Sequence, residues 1–64
     1  MKRRDLEKNL KQHGCVFDHH GGRHDIWRNP STGDQEAIPR HAEINNFTAK
    51  AICRGLKIPE NSKK

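Results

Sequence analysis

At 64 residues the chain has room for one small domain, which buries only about 60 % of the surface its unfolded form exposes. Leu, Ile, Val and Phe number 11 and the formal charge is +5, close to the composition at which disorder is expected, so a folded but weakly stable domain supported by a partner is expected. No stretch approaches the ~18 apolar residues of a membrane span, and the basic balance suits a polyanionic partner such as nucleic acid or an acidic protein.

No apolar run follows Met1-Lys2-Arg3-Arg4, so a soluble cytoplasmic protein is expected, with Cys15 and Cys53 as free thiols. Residues 3–13 read as a helix. Leu6 and Leu10 form a narrow apolar stripe, Glu7 and Lys11 pair at i,i+4, and Gly14 ends the helix. Arg4, Lys8 and Lys11 share its opposite face, as a solvated stripe or as phosphate contacts. Residues 15–18 are a short apolar run that reads as a strand, and residues 19–22, ending in paired glycines, read as a tight turn. A second strand over residues 24–28 carries Ile26 and Trp27. Residues 29–34 are rich in turn formers, and a third strand over residues 35–38 ends at Pro39. After a loop with Arg40 and His41, a second helix runs from residue 46, with Asn46 as its N-cap, to residue 56. Ala49, Ile52, Cys53 and Leu56 share its apolar face, and Lys50, Arg54 and Lys57 share another. Residues 1–59 are thus one domain and residues 60–64 a polar tail.

Helix, three strands, helix is an α+β order. Two amphipathic helices cover one face of a three-stranded antiparallel sheet and leave the other open. That is the element order of double-stranded-RNA-binding domains, which read shape, phosphates and 2′-hydroxyls.

Five histidines in 64 residues is a high density. Cys15, His19, His20, His24 and His41 include possible zinc ligands, but their spacing matches no known finger or ribbon and no Cys-x-x-Cys pair is present. Acid–base chemistry is the other reading. An imidazole titrates near neutral pH, and RNA carries its own nucleophile in the 2′-hydroxyl. One placed base therefore starts cleavage without a metal or other cofactor. His24 has Arg23 beside it and Arg28 four residues on, on the same strand face, and such cations stabilise charge on a phosphate. On the residues alone, an ordinary exposed hairpin histidine is the leading reading of His24. Trp27 is either packed half-buried or free to stack on a base, and strand parity leaves both open.

The residues also resemble the HicA (YcfA-like) toxin family over nearly the whole chain. The resemblance is carried by Lys2-Arg3-Arg4-Asp5-Leu6, His13-Gly14, Gly21-Gly22-Arg23-His24-Asp25-Ile26-Trp27, Ile38-Pro39-Arg40-His41, and Thr48, Ile52 and Leu56. It implies a toxin of a type II toxin–antitoxin system, a metal-independent endoribonuclease that cleaves mRNA and is restrained by a HicB antitoxin. It also implies His24 as the catalytic residue. The expected RNA contacts are Arg23, Arg28, Lys50, Arg54 and Trp27, and His41, in the Pro-Arg-His stretch typical of the family, takes a structural role in its loop, with phosphate contact as the alternative. The chain departs from the family pattern at three positions. Arg23 stands where serine is common, Cys15 where a larger apolar residue is usual, and Lys57 where glycine often ends the last helix. A non-catalytic RNA-binding module is the competing function, and a purely protein-binding fragment is a third.

Overall fold

A computed structural model describes residues 1–59 of the chain; the tail expected at 60–64 lies outside the described residues. Helix α1 (Arg3–Gln12) leads into strands β1 (Val16–Gly21), β2 (His24–Arg28) and β3 (Gln35–Pro39), and helix α2 (Asn46–Gly55) follows. The strands form an antiparallel meander in the order β1-β2-β3. Leu6 and Leu10 of α1, Trp27 and Ile38 of the sheet, and Ala49, Ile52 and Cys53 of α2 are buried in one cluster. Cys15, Ile44, Leu56 and Ile58 complete it. Both helices therefore lie on the sheet face that carries Trp27 and Ile38. The face carrying Val16, Ile26 and Ala37 is left open, as the alternation of side chains along a strand requires. Each fully buried Leu or Ile contributes about 1.5–3 kcal/mol, so this short core depends on every member. Both cysteines are buried within it and no disulfide joins them, and burial pushes the Cys15 thiol up.

Two local details differ from the sequence expectation. Strand β1 runs on through His19 and His20, which were expected in the turn. His19 pairs with Ile26 and His20 with Asp25, and a bulge between Phe17 and His19 then shifts Phe17 onto Trp27 and Val16 onto Arg28. Gly21 then faces His24, and the connection shrinks to Gly22 and Arg23. Gly22 takes φ 56° and Arg23 has no positive φ, the pattern of a type II′ turn with glycine first. In the second helix the cap is Asn45, not Asn46: the Asn45 side chain accepts from the Phe47 N–H at 2.7 Å.

Two asparagines hold the ends of the domain together. Buried Asn29 donates from Nδ2 to the Leu56 carbonyl at 2.6 Å, and its Oδ1 accepts from the Ser31 N–H at 3.0 Å. The β2–β3 turn is thereby fixed to the end of α2. Asn9 of α1, also buried, donates to the Pro59 carbonyl at 3.2 Å. The segment ahead of α1 braces the loop after β3. Arg3 N–H donates to the Ala42 carbonyl at 2.9 Å, and Ile44 N–H donates to the Met1 carbonyl at 2.7 Å. The Met1 ammonium donates to the Glu43 carboxylate at 2.8 Å and holds that carboxyl below its usual range.

Candidate active site

His24 is the first residue of β2, placed at the end of the sheet by the two-residue turn before it. Its register partner on β3 is Pro39. Pro39 lacks an N–H, which an edge strand tolerates, and the chain leaves the sheet directly after it through Arg40 and His41. The β1–β2 turn and the loop after β3 thus meet at one end of the sheet. Between them lies an open groove of about 610 Å³ lined by Gly22, Arg23, His24, Pro39, Arg40 and His41. Two glycines shape the turn at this corner. Gly22 needs its positive φ, and a Cβ at Gly21 would press on Ile26 Cγ1 at 3.3 Å.

The five histidines divide by what their rings touch. His13 Nδ1 lies 2.9 Å from the Asn9 carbonyl and donates to it. His19 Nδ1 lies 3.0 Å from the Asp18 carboxylate. His20 Nδ1 lies 2.8 Å from Asp25 Oδ1. His24 and His41 are exposed and have no hydrogen bond or ion pair among the described residues. Both line the groove, and each ring is therefore free to meet a ligand there. The structural role expected of His41 has no hydrogen bond to carry it.

Behind the groove, on the helix-side face of the hairpin, Asp25 gathers two donors. Arg40 Nε donates to Asp25 Oδ1 at 2.9 Å, and His20 Nδ1 donates to the same oxygen. Arg40 Nη2 also lies 3.2 Å from His20 Nδ1, but a nitrogen donating to the nearer carboxylate has no lone pair left to accept. The hydrogen bond from His20, with the hydrogen bond and charge of Arg40, holds the Asp25 carboxyl below the usual carboxylate range, against a smaller opposing effect of burial. Sequence reasoning passed over this network. Its one signal was the i,i+5 placement of His20 and Asp25 across a glycine turn, which pairs them only when the turn closes on Gly22 and Arg23 and His20 stays in the strand.

Of the cations expected at the site, the fold brings only Arg23 to His24. Arg28 shares the open sheet face with His24 but sits four residues along β2, about 13 Å away, where its Nε lies 3.7 Å from Asp18. Lys50 and Arg54 are exposed on α2, in the helix layer. Trp27 is corrected: it is 4 % exposed and packs under the helices, with Phe17 edge-on at 6.2 Å between ring centroids. Stacking on the open face is therefore closed to it. Among the described residues no three His, Cys, Asp or Glu side chains converge as metal ligands, so Cys15 and the histidines named above do not form a zinc set there.

Residues 3–58 match the family described as HicA toxin of bacterial toxin-antitoxin. The chain belongs to the HicA toxin family. A search of curated proteins and a search of solved structures each gave no match. The HicA match spans both sides of the groove, from α1 through the hairpin and the loop after β3 to Ile58. As a HicA toxin the chain is the toxin of a toxin–antitoxin system, and an antitoxin is its partner. The fold expected from the sequence pattern, helix, three antiparallel strands, helix, is the fold observed. No helix among the described residues is long and apolar enough to cross a membrane.

Proposed function

We propose that this HicA-family chain is a cytoplasmic endoribonuclease that cleaves mRNA, with His24 as the base that takes the 2′-hydroxyl proton. The observation that carries the reading is the state of His24. It is exposed, unpaired, anchored at the start of a strand, and set in a groove beside Arg23 and Arg40. A base needs a lone pair within about 3 Å of the proton it removes, and an unengaged ring offers one. Guanidinium groups beside it stabilise the charge that develops on the phosphate. The chemistry calls on no metal, because the nucleophile belongs to the RNA. A HicB-like antitoxin is the proposed partner. Such a partner would cover the His24 hairpin and, by binding only the folded chain, would stabilise its thin core.

The test is RNA cleavage by wild type and by His24→Ala, each in excess EDTA. Wild type cuts RNA under chelation. His24→Ala keeps its fold, its RNA binding and its antitoxin binding and loses cleavage, because removing an exposed side chain shifts stability by under ~0.5 kcal/mol. Equal cleavage by the two proteins places catalysis elsewhere. No cleavage by either leaves the competing RNA-binding module, whose basic surface and element order this chain shares. Loss of wild-type activity on chelation, restored by a divalent ion, rejects the metal-free mechanism.

A further inference from the structure

Cleavage through the 2′-hydroxyl has two proton transfers, and His24 accounts for one. The 2′-oxygen loses a proton as it attacks phosphorus, and the departing 5′-oxygen gains one as its bond to phosphorus breaks. A second group that can give a proton near neutral pH completes the reaction, and imidazole is the side chain suited to it.

Of the five histidines, only His24 and His41 have rings with no partner, and both line the same groove. His41 is also held in place by its neighbours. Arg40 is bound to Asp25 through Nε at 2.9 Å. The Ala42 carbonyl accepts from the Arg3 N–H at 2.9 Å. Pro39, two residues before His41, is the register partner of His24 itself. A loop tied on both sides of one residue, with that residue's ring left free, fixes the backbone and reserves the side chain. A purely structural histidine would show the reverse. The groove, at about 610 Å³, lies within the ~300–1,000 Å³ range of small-ligand sites, with a guanidinium on each of its two lining segments.

We propose that His41 is the general acid of the cleavage, paired with His24 as the base; the proposal rests on the nuclease reading above. Neutral His24 takes the 2′-hydroxyl proton, and the 2′-oxygen forms its bond to phosphorus. The bond from phosphorus to the 5′-oxygen breaks, its electron pair stays on that oxygen, and protonated His41 supplies the proton. The products are a 2′,3′-cyclic phosphate and a 5′-hydroxyl. His24 leaves protonated and His41 neutral, and exchange with water restores both. Arg23 and Arg40 face the non-bridging oxygens.

The experiment uses a short RNA that wild type cuts at one mapped position, and the same RNA with sulfur in place of the bridging 5′-oxygen there. A thiolate, with a thiol pKa of about 8.5, leaves without a proton. His41→Ala and His41→Gln are expected to cut the ordinary RNA at least 100-fold more slowly, the lower end of what general acid–base catalysis contributes. On the sulfur-bridged RNA both are expected to approach the wild-type rate, while His24→Ala stays inactive on both substrates. Removing an exposed, unpaired ring leaves the fold in place, and circular dichroism with RNA binding by each variant checks it. Ordinary-RNA cleavage by the His41 variants at the wild-type rate overturns the proposal and leaves His24 in place. A defect equally large on both substrates also overturns it, because His41 would then act in binding or positioning. If wild type cuts no RNA, this proposal and the nuclease reading fall together.

Discussion

Gly14 and Lys57 do the same job in the backbone with different side chains. Each follows the capping residue of a helix and has positive φ, 87° and 61° respectively. At the end of α1, Gly14 N–H donates to the Lys11 carbonyl and Cys15 N–H to that of Leu10. At the end of α2, Lys57 N–H donates to the Arg54 carbonyl and Ile58 N–H to that of Cys53. Both are Schellman ends, and in both the residue after the positive φ is buried in the core. Glycine takes this conformation without a steric penalty, whereas a side chain there costs about 1–2 kcal/mol. Glycine in turn loses more chain entropy on folding, roughly 0.4–1 kcal/mol. Lys57→Gly is therefore expected to stabilise the protein by about 0.5–1 kcal/mol, a rise of several degrees in melting temperature for a domain of this size. The lost contact of Lys57 Nζ with Asp34, 3.7 Å long and exposed, offsets little of this. A melting temperature unchanged or lowered in Lys57→Gly would show that the end of α2 is not strained.

At the scale of elements, the groove is held by a joint between β1, β2 and the loop after β3, and Asp25 is its pivot. Its carboxyl is bound by His20 and Arg40 and held below the usual range. The folded chain thus releases this proton more readily than the unfolded chain. The stability it contributes is complete above the ordinary Asp value of about 3.9, and it is lost as pH falls through the lower folded value. A carbon-13 carboxyl titration is expected to give Asp25 a midpoint below 3.9, with His20→Ala and Arg40→Ala each raising it. A midpoint at or above 3.9 in wild type would mean the joint does not form. The elements themselves were legible in the sequence. The Leu6–Leu10 spacing, the Ala49–Ile52–Cys53 face and the turn formers after Arg28 each gave the right type of element, and all three rest on local pattern. What local pattern could not carry was register. The turn closes on Gly22 and Arg23 alone, which leaves His19 and His20 in the strand and sets His20 opposite Asp25, and only then do His20, Asp25 and Arg40 meet. Asn29 was read as one turn residue among several, and its bond to Leu56 spans 27 positions. His24 was named through the family resemblance, since its own neighbours left it an ordinary hairpin histidine. Its juxtaposition with His41 depends on β2–β3 pairing, which no spacing in the chain expresses.

Across the whole molecule, the positive charge is spread rather than gathered. Arg23 and Arg40 flank the groove, Arg28 lies at the far end of the open sheet face, and Lys50 and Arg54 project from the helix layer. The backbone measures only 28 × 25 × 16 Å along its principal axes, and its thin dimension is about twice the ~8 Å screening length at physiological salt. Cations on the far face are therefore largely screened from a polyanion in the groove at physiological salt and add to its attraction at low salt. Binding is then expected to be largely electrostatic, with each neutralised phosphate contributing roughly −0.7 to the slope of log affinity against log salt for a single strand. The measurement needs a protein that binds without cutting, so His24→Ala serves as the background. Adding Lys50→Ala and Arg54→Ala together is expected to weaken binding and flatten the slope by up to about 1.4, two contacts at that value. Adding Arg23→Ala is expected to flatten it by about 0.7. An unchanged slope in the α2 double variant, with a flattened one in Arg23→Ala, would confine the RNA to the groove end of the sheet. A background protein whose affinity barely varies between low and high salt would remove the basic faces from the binding surface altogether.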